Sequence, residues 1–160
     1  MIFGMSTFLF VHVALSLIGI LSGLVVLYGL ISNDRMDGLT LVFLATTVAT
    51  SVTGFGFPFH GVTPAIILGV ISLVVLAPAI AGRYLFHLAG PWCWIYTAGA
   101  VTALYFNVFV LVVQAFAKLP ALHALAPKGS EPPFAIAQGL VLLAFIALGI
   151  LAVRRFRPIV

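Results

Sequence analysis

Five apolar runs, each close to the roughly 20 residues a helix needs to cross a bilayer's hydrocarbon core, constrain this chain more than any other feature. They extend from Ser6 to Ile31, Leu39 to Phe57, Pro64 to Leu85, Trp92 to Phe116 and Phe134 to Val153. Lipid offers no hydrogen bonds, so a spanning segment must satisfy its own backbone, and runs of this length are too long for barrel strands. The expected fold is an all-α integral membrane protein. It is a single domain over residues 1–160, a bundle of five transmembrane helices, or four if the second run only dips into the membrane. That run is the weakest, because Thr46, Thr47, Thr50, Ser51 and Thr53 dilute it. Composition agrees with the class: 64% of residues are hydrophobic and 6% charged, against about one-quarter charged in soluble domains.

The breaks between runs carry helix-ending residues: "SNDRMDG", "PFHGVTP", "HLAGP" and "KLPALHALAPKGSEPP". Thr63 before Pro64 is an N-cap followed by proline at the first helical position. The last break reads as a helical turn between Pro120 and Pro127, with Leu119, Leu122 and Leu125 free to rest on the bundle or the lipid interface. Five crossings put Arg35, Arg83, Arg154, Arg155 and Arg157 on one side, and Lys118 and Lys128 on the other. The positive-inside rule then places the C-terminus in the cytoplasm and the N-terminus in the periplasm. Trp92, Trp94, Tyr96, Tyr84 and Tyr28 fall near the inner boundary, where amphipathic rings belong, and Arg83 is expected to snorkel to it. Pro78 is expected to kink the third helix. The net charge of +4 forms no basic stripe, so the Lys and Arg residues are topology signals and not a nucleic-acid surface. Cys93 is the only cysteine, which excludes an internal disulfide. The N-terminal apolar run far exceeds a signal-peptide core and lacks a basic n-region, so it is expected to be retained.

Polar residues inside the runs follow helical spacing. Asn107, Gln114 and Lys118 share one face of the fourth helix, continued inward by Ala100 and Ala103. His12, Ser16, Gly19 and Gly23 do the same on the first helix. Thr46, Thr50 and Thr53 are offered by the second, and Ala65, Gly69, Ser72 and Ala79 by the third. Small residues let membrane helices approach closely, and amides tie them together for about 0.6 to 2 kcal/mol each. The expected arrangement is a polar patch in the outer half, with Asn107 and Gln114 facing inward toward His12, the threonines and Gln138. Val26, off the stripe, is the expected lipid-facing control for Gly19.

Three chemistries compete for this patch. Passage or binding of a small solute would use His12, Ser16, Thr50, Thr53, Asn107, Gln114 and Gln138; five helices leave little room for a pore, so passage implies a homo-oligomer. No Asp or Glu lies within a span, which argues against a carboxylate proton relay. A metal or haem would use His12, His60 and His123, since neutral imidazoles suit copper, zinc or haem iron, although no HxxxH or HExxH spacing pairs two of them. The third option is an accessory subunit that packs against a larger membrane complex. Catalytic signatures such as GxSxG, HExxH, a phosphate-cradling glycine loop or a carboxylate pair are missing from the sequence.

The strings "TSVTGFGFPF", "YFNVFVLVVQAFAKLPAL" and "GSEPPF" resemble a family of small multi-pass bacterial membrane proteins to which no activity is attached, and the likeness runs over most of the chain. The resemblance implies a bacterial inner-membrane setting and carries no site residues.

Overall fold

The computed structural model describes residues 6–58 and 61–159. Six helices follow in order: α1 (Thr7–Ser32), α2 (Asp37–Gly54), α3 (Pro64–Tyr84), α4 (Pro91–Lys118), α5 (Pro120–Leu125) and α6 (Pro132–Arg155). All but α5 are long and apolar enough to cross a membrane, and the described residues form no strand. The protein is therefore a five-span helical membrane bundle.

Helix ends explain where these limits differ from the apolar runs. α2 takes in Asp37 in its first turn and stops at Gly54, while α4 ends on Lys118 and α6 on Arg154 and Arg155. An acid in a first turn and a base in a last turn are favoured by the helix dipole, so helices extend past their hydrophobic limits. Proline occupies the start of α3, α4, α5 and α6, where its missing N–H costs nothing. Ser6 caps α1 by accepting from the Leu9 N–H at 3.3 Å, and Thr63 caps α3 through Ile66 N–H at 3.4 Å. α3 passes through Pro78 as one helix.

α4 packs against every other helix, with α1 paired to α2 on one flank and α6 lying against both α4 and α1. The dry core occupies the end of the bundle where α1 turns into α2. Leu30, Phe43, Leu44, Leu76, Leu104 and Phe156 are each at most 2% exposed there. Val26 belongs to this core at 2% exposure, which corrects its assignment to lipid: α1 is flanked by α2, α4 and α6, so more than the glycine stripe is covered. Tyr28, Tyr84 and Trp94 are exposed at this end, as expected of boundary aromatics, whereas Tyr96 points into the core.

Arg83 also departs from expectation. It does not snorkel outward but lies 97% covered against its neighbours, at 3% exposure. Its Nη2 donates to the Arg35 carbonyl at 2.9 Å and to the Asp37 carboxylate, and its guanidinium carbon sits 5.1 Å from the centre of the Tyr96 ring. Thr40 Oγ donates to the same Arg35 carbonyl at 3.1 Å. A charge held this deep needs a partner, and the α1–α2 turn supplies it. Nearby, the Arg157 N–H donates to Asn33 Oδ1 at 2.7 Å, joining the end of α6 to the end of α1.

Candidate functional site

At the opposite end from the arginines, α2 presents a line of hydroxyls to α1, α3 and α4. His12 Nδ1 lies 2.8 Å from Thr53 Oγ1. Thr53 Oγ1 also donates to the Ala49 carbonyl at 2.7 Å, which uses the one hydrogen a hydroxyl has. The proton on the histidine bond then comes from Nδ1, which in the neutral form of the ring leaves the lone pair on Nε2. The His12 ring stands edge-on to Phe57, with centres 5.0 Å apart.

Six residues along α2, or about 9 Å at 1.5 Å per residue, Thr47 Oγ1 accepts from Asn107 Nδ2 at 3.3 Å. Gly19 makes this meeting possible. A Cβ there would lie 3.2 Å from Thr46 Oγ1, 3.3 Å from Thr47 Oγ1 and 3.6 Å from Asn107 Nδ2. Between the two pairs sits Thr50, whose hydroxyl is buried and has no hydrogen-bond partner. Alongside, Ser51 Oγ lies 3.3 Å from Ser72 Oγ and ties α2 to α3. Below Thr47 the line ends on hydrocarbon, because a Cβ on Gly23 would come within 2.6 Å of Leu104 and 2.9 Å of the Phe43 ring.

The structure thus brings His12, Thr53, Thr50 and Asn107 into one line and leaves other expected members outside it. Ser16 turns its hydroxyl back to the His12 carbonyl at 2.8 Å. Gln114 is exposed, two turns beyond Asn107 on α4. Gln138 donates from Nε2 to the Phe109 carbonyl at 3.1 Å. Phe109 is two residues from Asn107, so it faces the far side of α4, and the buried Oε1 of Gln138 has no partner. His123 lines a hollow of about 210 Å³ with Phe116, Lys128 and Phe134, away from the α1–α2 contact that holds His12. His60 lies outside the described residues. Among the described residues no three His, Cys, Asp or Glu side chains gather as a metal would need.

Thr47 and Ser72 were legible only as small or diluting residues. Their pairing with Asn107 and Ser51 depends on helix rotation, which a single sequence does not report. The signal within reach was the spacing of Thr47 and Ser51, one turn apart on the face next to Thr50.

The line offers an acceptor at His12 Nε2, a hydroxyl at Thr50 and the amide of Asn107, with no charged side chain among them. That chemistry suits a small neutral polar group. Comparison with protein-family models, curated proteins and solved structures finds no match to this chain.

Proposed function

We propose that the protein is a bacterial inner-membrane binding protein for a small uncharged polar solute, held along His12, Thr53, Thr50, Thr47 and Asn107. The observation that carries this reading is the buried, unpartnered hydroxyl of Thr50 between two satisfied pairs. An orphaned polar group in a bundle costs about 1–3 kcal/mol unless something bonds to it, and a bound solute would do so. Binding is favoured over passage because Phe43, Leu44, Leu76 and Leu104 close the other half of the bundle. Passage would require several copies around a shared axis, and a homo-oligomer belongs to that version of the proposal. The bacterial setting rests on the resemblance to small multi-pass membrane proteins.

The test is thermal unfolding of the detergent-solubilised protein in a panel of neutral solutes such as urea, glycerol and small amides. A stabilising solute should raise the wild-type midpoint, and His12→Leu and Asn107→Leu should fold yet lose that response. If both variants keep the response and only melt lower, the line is packing alone.

One set of observations favours that second reading. His12–Thr53, Asn107–Thr47 and Ser51–Ser72 are direct bonds between helices, which suits a tied scaffold serving as an accessory subunit of a larger membrane complex. A histidine-held haem or metal would have to pair His12 with a residue such as His60; a Soret band or bound metal in the purified protein would support it.

A further inference from the structure

A groove of about 590 Å³ runs between α4 and α6 on the outside of the bundle. Its walls include Ala98, Thr102 and Tyr105 from α4 and Leu142, Phe145 and Arg154 from α6. The Thr102 hydroxyl donates to the Ala98 carbonyl at 2.8 Å, so it is satisfied within its own helix. At the floor, Gly149 lets α6 approach α4, since a Cβ there would lie 3.3 Å from Val101. α6 is poorly covered by the rest of the chain, with only Ala152 buried.

Length and charge identify an occupant. On α6 the groove extends from Leu142 to Arg154, twelve residues or about 18 Å. One leaflet of a hydrocarbon core about 30 Å thick measures about 15 Å. The groove therefore matches one leaflet and ends at its polar boundary on a guanidinium. The side chains of Arg154 and Arg155 make no hydrogen bond or ion pair among the described residues, while both acids at this end are engaged: Asp37 with Arg83 and Arg35, and Asp34 with the Met36 N–H at 3.1 Å. A second copy docked here about a twofold axis would bring arginines together with no unengaged Asp or Glu among the described residues at this end to offset them.

We propose that this groove holds an acyl chain of an anionic phospholipid from the leaflet at the arginine end, with the phosphate paired to Arg154. A guanidinium presents two parallel N–H groups to a phosphate, and a cation at a membrane surface is worth roughly a five-fold preference for anionic lipid.

The experiment is native mass spectrometry of the full chain in detergent, titrated with phosphatidylglycerol or phosphatidylcholine of identical chains. Wild type should bind phosphatidylglycerol about five-fold more tightly. Arg154→Gln should erase the preference, Arg155→Gln should keep most of it, and Ala98→Leu, which fills the groove, should weaken both lipids. Tyr105→Phe should change nothing, because a hydrocarbon chain offers its hydroxyl no partner. Equal binding of the two lipids by wild type overturns the proposal, as does equal loss in the Arg154 and Arg155 variants or full binding by Ala98→Leu. Weaker binding by Tyr105→Phe would require a polar group at a depth where a phospholipid has none. A dimer abolished by Ala98→Leu and untouched by lipid would give the groove to a second copy.

Discussion

Arg83 lies at the end of α3 with its Nη2 shared between a backbone carbonyl and a carboxylate, its buried Nη1 without a hydrogen-bond partner, and its guanidinium carbon over the Tyr96 ring. Lysine conserves the charge but not this geometry, since an ammonium has neither the planar fork nor the stacking face. Arg83→Lys should lower stability by about 1.5–3 kcal/mol, the range for lost hydrogen bonds to a charged group, read as a fall in the thermal midpoint in detergent. An unchanged midpoint would mean the clamp on the α1–α2 turn is incidental. Asn107→Leu belongs to the same scale. If its amide only ties α4 to α2 it should cost about 0.6–2 kcal/mol, and any solute response should survive. A single Arg near the end of an apolar run was visible in the sequence as a boundary residue. That it turns inward was not, because Asp37 lies 46 residues away along the chain and only the packing of α2 against α3 brings the two together.

Among the helices, two glycines separate packing from propensity. Gly23 of α1 has no space for a Cβ, with Leu104 at 2.6 Å and the Phe43 ring at 2.9 Å, whereas Gly139 of α6 has nothing within 4 Å. Gly23→Ala should destabilise by about 1–3 kcal/mol through overpacking. Gly139→Ala should be neutral or stabilise by up to about 1 kcal/mol through helix propensity. Equal effects in a thermal melt would show that α1 does not approach α2 and α4 so closely. The loop before α6 makes a separate point. The Glu131 carboxylate gives up a little water, which pushes its pKa upward, but it accepts from the Lys128 N–H at 3.0 Å and the Ser130 N–H at 3.0 Å. The bonds win, and its pKa falls below the usual value. A depressed folded pKa means the loop's contribution is present above the ordinary glutamate range and lost as pH drops through the lowered value. The Lys128 and Ser130 amide resonances should therefore titrate with a midpoint below that of a free glutamate, and a midpoint at or above it would remove the carboxylate from the loop.

Across the whole molecule, one half of the bundle is dry and the other polar. Val26, Leu30, Phe43, Leu76, Tyr96, Leu104 and Phe156 interlock at the arginine end, while His12, Thr53, Thr50, Thr47 and Asn107 line the other. The positive-inside rule predicts the dry, arginine-bearing end on the cytoplasmic side. Ser32→Cys should then resist an impermeant thiol reagent in intact cells, and Ser130→Cys should react. Labelling at residue 32 alone would invert the bundle.

The order and approximate limits of the apolar helices were set by the sequence alone, because lipid requires each crossing to be a long apolar helix whatever its neighbours do. Only the second, diluted by its threonines, was left open between a full span and a dip. Helix caps at Thr63 and the short turn from Pro120 were equally local and equally readable. Which polar residues meet was decided by tertiary structure. Asn107, Gln114 and Gln138 are alike as amides in apolar runs, yet one bonds Thr47, one lies exposed and one bonds a carbonyl on the far side of α4. The reason is rotational: spacing reports which residues share a face, but the direction of that face depends on how helices distant in sequence fit together, and only their packing settles it.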